Sequence, residues 1–162
     1  MEPEHLGRLL DRHAAALELY ARQWCDSAED VVQEAFVKLS AQGRIPENPA
    51  AWLFRVVRHG ALNAALAARR RKRHETAAAA EAPAWFQSDG SATVDPETAE
   101  AALRGLPIAE REVIVAHLWG GLTFEQVAAL AGCSSSTAHR LYQSGLSTLR
   151  ERLGVSCRHN PI

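Results

Sequence analysis

Apolar residues recur at three- and four-residue intervals through most of the chain. Nowhere do β-branched residues alternate with polar ones between turn residues. This periodicity predicts an all-α protein. Leu6, Leu9, Leu10, His13, Leu17 and Tyr20 share one face of a first helix, Leu6 to Trp24, which Cys25-Asp26-Ser27 interrupts. A second helix, Ala28 to Ala41, carries Val31, Val32, Ala35, Phe36 and Leu39 as its apolar stripe, with Ser27 and Asp30, or Asp26 and Glu29, placed to cap it. After Gly43 and Pro46-Glu47-Asn48-Pro49, Asn48 caps a third helix and Pro49 suits its first turn. That helix runs from Ala50 to about His74 and turns Leu53, Val56, Val57 and Ala64 inward.

The periodicity lapses between Thr76 and Pro96, where an alanine run, Pro83 and Ser88-Asp89-Gly90-Ser91 read as a linker, with Trp85-Phe86 a sticky point inside it. It resumes in a helix from Pro96 to about Leu103. Another follows from Ala109 to Trp119, with Val113, Ile114, Ala116 and Leu118 for its core, and Gly120-Gly121 ends it. Thr123 to Arg140 then reads as a short helix, a tight turn and a second helix. Thr123 and Gln126 have the spacing of a capping box, Val127, Leu130 and Ala131 share an apolar face, and Gly132 suits the positive φ of a helix stop. Ser134-Ser135-Ser136 offers caps for the last helix, which continues through Leu141, Leu146, Leu149 and Leu153. This is the helix-turn-helix layout, whose second helix enters the DNA major groove. An ordinary αα-hairpin shares these local signals, so the rest of the chain must decide.

Composition changes the picture in one respect. The chain has 162 residues, 47% of them apolar, and a net charge of only -1, but the charge is unevenly spread. From Arg44 to Arg73 the basic residues are Arg44, Arg55, Arg58, Arg69, Arg70, Arg71, Lys72 and Arg73, against Glu47 alone. From Glu75 to Leu103 there is no Lys or Arg, while Glu75, Glu81, Asp89, Asp95, Glu97 and Glu100 occur. A basic block followed by an acidic one points to polyanion binding in the first segment and a different task in the second. The odd set Cys25, Cys133 and Cys157 makes no disulfide framework. No run is long enough to cross a bilayer, and the acidic Met1-Glu2-Pro3-Glu4 start precedes no apolar signal segment, so a reducing cytoplasm is expected. Cys133, His139, Cys157 and His159 match no standard zinc spacing, and no Gly-rich phosphate loop or nucleophile motif occurs. No metal, cofactor or enzymatic activity is expected.

Two separated segments resemble the two parts of a bacterial sigma factor of the extracytoplasmic-function type, within the sigma-70 family. Ser27-Ala28-Glu29-Asp30-Val31-Val32-Gln33-Glu34-Ala35-Phe36 is similar to that family's polymerase-binding helix. Asn48-Pro49-Ala50-Ala51-Trp52-Leu53-Phe54-Arg55-Val56-Val57-Arg58 is similar to the start of its promoter-melting helix. Leu106-Pro107, Glu110-Arg111-Glu112-Val113, Gly121 to Ala128, Gly132 and Thr137 resemble its sigma-four domain. His59 stands where the family usually has Asn, Asn63 at a customary Asp, and Leu141 and Ser144 replace residues that are often basic. The resemblance implies two small helical domains joined by an acidic linker: a sigma-two-like bundle over 1–74, the linker over 75–95, a sigma-four-like helix-turn-helix over 96–154, and a tail over 155–162.

It also implies a transcription initiation factor that binds core RNA polymerase, through its clamp helices and flap, and takes it to promoters. Glu29, Asp30, Gln33, Glu34 and Phe36 would dock on the polymerase, where acidic and amide groups on a rigid helix suit a basic surface. Around the minus-ten element the candidates are Trp52, Arg55, Arg58, His59, Asn63, Arg69 and Arg70. Trp52 is read mainly as core, with aromatics near it stacking on extruded bases; Arg55, Arg58, His59 and Asn63 are read as exposed, Arg58 on phosphate. For the minus-thirty-five element they are Ser134, Ser135, Ser136, Thr137, His139, Arg140 and Gln143, with Leu141 and Leu146 read as core. An anti-sigma factor is a possible further partner. Two other readings fit part of the pattern: a free-standing helix-turn-helix regulator, which has no use for the Ser27–Phe36 segment, and a sigma-mimicking interaction module, which needs no working recognition helix.

Overall fold

The computed structural model describes residues 3–74 and 96–154. The linker over 75–95 with Trp85 and Phe86, and the tail with Cys157 and His159, lie outside the described residues. Among the described residues the elements are α1 (Pro3–Ala21), α2 (Ala28–Ser40), α3 (Pro49–His74), α4 (Pro96–Arg104), α5 (Ile108–Ile114), a π-helical turn (Val115–Trp119), α6 (Phe124–Ala131) and α7 (Ser135–Arg152), with no strand. The all-α expectation holds.

α1 ends before Trp24, in tight turns where Trp24 N–H donates to the Ala21 carbonyl at 3.0 Å. The α2 stripe of Val31, Val32, Ala35, Phe36 and Leu39 is buried as its spacing requires. Its expected cap is not formed: Ser27 has φ -90° and ψ 44°, and its side chain makes no capping bond. Packing against α1 and α3, rather than a cap, positions this helix. α3 does start as expected, with Ala51 N–H donating to Asn48 Oδ1 at 2.9 Å.

The expected single helix from Ala109 to Trp119 is instead α5 followed by the π-helical turn. Gly120 N–H reaches back five residues to the Val115 carbonyl at 3.0 Å. One extra residue in the turn rotates everything after it. Glu112 through Ala116, the end of α5 and the start of this turn, are all buried. Leu118, expected in the core, is 51% exposed, and Trp119 is exposed beside it.

The two halves share one core. Leu17, Tyr20, Phe36, Leu53, Phe54 and Val57 from the first half continue into Leu103, Val113, Ile114, Val115, Leu122 and Val127 from the second. Tyr20 sits edge-on to both Trp24 and Phe54, at 4.9 and 5.0 Å between ring centroids. Phe54 closes against Gly120, where a Cβ would lie 2.5 Å from Phe54 Cζ and also collide with the Ala116 carbonyl. Only glycine permits that approach.

Candidate nucleic-acid interface and the seam between the halves

α2 presents Glu29, Asp30, Gln33 and Glu34 to solvent on one side. Glu34 pairs with Lys38 at 2.8 Å, and Glu29 lies 3.9 Å from Arg22. Phe36 corrects the expectation for this face: at 4% exposure it belongs to the core and supports the surface from beneath. Val37, 60% exposed, sits three and seven residues after Glu34 and Asp30 and so continues the same face. Sequence reading missed it, although an apolar residue outside the buried stripe was the available signal.

α3 carries the next group. Trp52 is half-buried, and with exposed Arg55 it lines a cleft of about 390 Å³ that α6 closes with Gln126, Ala129 and Leu130. His59 and Asn63 are exposed as expected, but they line a groove shared with Asp30, Glu34 and Lys38 of α2. The structure thus brings them to the acidic helix, away from the Trp52 cleft. Arg69 and Arg70 are exposed on the last turns of α3, together with Arg71, Lys72 and Arg73. Cations there complement the partial negative charge of the helix end.

Arg58 departs from its expected exposure. It was expected on the exposed side, yet it is half-buried and points across the seam, donating from Nε to Glu112 Oε1 at 2.7 Å. The hydroxyl of Tyr20 donates to the same oxygen, also at 2.7 Å. The Trp24 ring covers the guanidinium at 5.9 Å, within cation–π range. Burial, and then the adjacent Glu112 carboxylate, push the Tyr20 hydroxyl far up from its ordinary value, so it remains a proton donor. The Glu112 hydrogen bond raises the Arg58 value further, so its charge is fixed. Glu112 itself is 6% exposed and was not singled out from sequence. Its place on the apolar face of α5, beside Val113 and four residues before Ala116, was the legible sign of a buried carboxylate.

In the second half the local signals are realised. Thr123 and Gln126 form both bonds of a capping box. Gly132 has φ 71°, the left-handed stop that a side chain disfavours. Of the three serines, Ser134 caps α7 by accepting from Thr137 N–H at 3.1 Å, and its hydroxyl also meets the Thr137 hydroxyl at 2.9 Å. Those two side chains hold the turn. Ser136, His139, Arg140 and Gln143 are exposed at helical spacing, while Ser135 is half-buried. Phe124 stacks on His117 at 4.2 Å and meets His139 and Tyr142 edge-on, tying α7 to the hairpin. Leu141 and Leu146 are partly buried and Ala138 fully so. Ser144 donates to Glu110 at 2.8 Å, an α5–α7 bond made by one of the residues at a customarily basic place.

Residues 4–74 match the family model described as Sigma-70 region 2, and residues 97–149 that described as Sigma-70, region 4. The sigma factor RpoE, solved in complex with the anti-sigma factor NepR from Bartonella quintana, superposes with a TM-score of 0.73 at 24% identity, over 96% of this chain and 99% of that one. CnrH, solved with the cytosolic domain of CnrY, superposes with a TM-score of 0.61 at 23% identity, over 96% and 91%. At such identities the likeness shows the shared fold. No curated protein sequence matches the chain.

Proposed function

The chain belongs to the sigma-70 family of transcription initiation factors, in its extracytoplasmic-function type, and on that basis we propose how its surfaces divide the work. Members of this family are initiation factors and not enzymes, so the chemistry of RNA synthesis belongs to the polymerase. The α2 face of Glu29, Asp30, Gln33 and Glu34, with Val37 as an apolar anchor, docks on core polymerase. Like-charged groups fixed on one helix steer and orient a basic partner more than they add raw affinity. Residues 1–74 and 96–154 act as two arms once docked, joined by the acidic linker.

The cleft at the start of α3 is the minus-ten site. A base leaving the stack costs a few kcal/mol, and stacking on an aromatic ring returns about 1–3 kcal/mol. Trp52, which lines that cleft, is the ring placed to do this, with Arg55 beside it. Arg69 and Arg70, with the basic residues after them, neutralise phosphates and carry little sequence information. Ser136, His139, Arg140 and Gln143 form the exposed stripe that reads the minus-thirty-five element, with Ser134 and Thr137 shaping the turn that presents it. His59 and Asn63 belong with the α2 surface, whose groove they share.

One observation supports this reading most: a single chain exposes both an acidic helix face and a capped recognition helix. A free-standing regulator would leave the first without a task. The two solved relatives are each held by a second protein, RpoE by the anti-sigma factor NepR and CnrH by the cytosolic domain of CnrY, which supports an anti-sigma factor as a further partner here. Among the described residues no helix is long and apolar enough to cross a membrane. Membership of the family supports action beside polymerase in the bacterial cytoplasm. Run-off transcription with purified core polymerase tests the proposal: initiation at a cognate promoter should require this chain. Core polymerase that neither binds the chain nor changes its start sites would refute it.

A further inference from the structure

We propose that Glu112 is a built-in competitor for DNA phosphate: it holds Arg58 while the halves are closed, and promoter engagement requires Arg58 to exchange that carboxylate for a phosphate. The inference rests on the assignment of α3 to the minus-ten region and deepens it.

The geometry is specific. One oxygen of Glu112 takes both Arg58 Nε and the Tyr20 hydroxyl, each at 2.7 Å, and both donors come from the other half of the chain. Glu112 is nearly fully buried, where an unpaired carboxylate would be unfavourable. Closure is therefore what satisfies Glu112, and Glu112 is what occupies Arg58. A guanidinium makes the same planar, charge-assisted bonds to a carboxylate and to a phosphate, so the two oxyanions are direct rivals for it. Trp24 covers one side of the guanidinium and Glu112 takes its Nε, so in the closed arrangement part of its hydrogen-bonding edge is already engaged. Trp52 lies on the same seam, facing Gln126 and Leu130 of α6 across the cleft. Of the α3 residues assigned to the minus-ten element, Trp52, Arg55 and Arg58 are thus the ones that the second half covers or borders. When the halves part, Glu112 gains water and Arg58 and the Trp52 cleft become available together. DNA shifts this equilibrium only by binding the open form better, and an exchanged Arg58 supplies such a difference.

The test uses the full chain, dye-labelled on α2 and on α7, with distance read by energy transfer. The DNA probe is a duplex with a mixed-sequence single-stranded tail, which measures phosphate contact without a known promoter. Glu112→Gln, which keeps shape but removes charge, should lengthen the distance and tighten probe binding by about 3- to 10-fold. Arg58→Ala should lengthen the distance too, yet weaken binding. If Glu112→Gln stays at the wild-type distance, the lock is refuted. If both variants open and Glu112→Gln gains no affinity, the competition is refuted. If both open and Arg58→Ala binds the probe as Glu112→Gln does, the assignment of Arg58 to DNA fails while the lock stands. Should the variants not fold, saturating the wild-type chain with probe gives the same decision: a longer distance supports the exchange, and an unchanged one overturns it.

Discussion

The helix α2 and the α6–α7 hairpin, one in each half, are fixed by different means. In the second half α6 and α7 are set by local bonds: the Thr123–Gln126 box, the left-handed Gly132 and the Ser134 cap. In the first, α2 begins at Ser27 without any side-chain cap and is held by packing of its stripe against α1 and α3. The proposed functional surfaces follow the same division. The recognition helix is aimed by its own turn, whereas the cleft at Trp52 and the partner of Arg58 exist only because distant segments meet. Local encoding yields an independent reader; non-local encoding yields a surface that depends on closure.

The largest effect is expected at Phe54, which is fully buried and touches both Tyr20 and Gly120. Phe54→Ala should cost about 3–5 kcal/mol in denaturant unfolding. A loss under about 1 kcal/mol would mean that the seam is not part of the core. Next in size are the two proposed recognition surfaces. Asp30→Lys with Gln33→Lys should weaken polymerase binding about tenfold. Arg140→Ala should cost about 1–3 kcal/mol of discrimination between upstream elements. Both variants should keep the wild-type melting curve, and a parallel loss of stability would place these residues in the fold instead. Smaller, and more pointed, is a pair of caps. Thr123→Ala should cost about 1 kcal/mol, while Ser27→Ala should stay within about 0.5 kcal/mol. Equal losses would erase the contrast between the halves.

The smallest expected effect is on pH. His13 faces the groove that α1 shares with Leu118 and Trp119, and its pKa is lowered by burial and then by Arg12. A base with a depressed folded value binds its proton less well when folded. Its contribution is therefore present above the ordinary value near 6.5 and is lost as pH falls below it. Melting temperature should decline slightly between pH 7.5 and 5.5, and His13→Asn should flatten that slope.

What could be read from the residues alone divides along the same line. Helical periodicity placed every α-helix, and Asn48, Thr123, Gly132 and Ser134 acted as their types predict, because each effect spans four residues or fewer. The π-helical turn was not legible, since an apolar run followed by Gly120-Gly121 also fits an ordinary helix, and so Leu118 was placed inside. Arg58 was placed outside for a related reason. Its partner is 54 residues away and Tyr20 is 92 residues from the same carboxylate, a separation that no periodic pattern reports. Phe36 was assigned to a surface by its position in a motif, although its own stripe with Val32 and Leu39 already marked it as core.

The surplus residue within Val115–Trp119 has a consequence for where the reader points. Each residue of an α-helix advances the azimuth by about 100°. Straightening Val115–Trp119 into ordinary α pitch with every residue kept would swing the hairpin about the α5 axis by roughly that amount, whereas deleting Leu118, whose side chain is mostly in solvent, removes the surplus and leaves the azimuth nearly unchanged. In the straightened form Arg140 and Gln143 would address a different side of the molecule while their own turn stayed intact, so the direction of the proposed upstream reader is set by one surplus residue outside it.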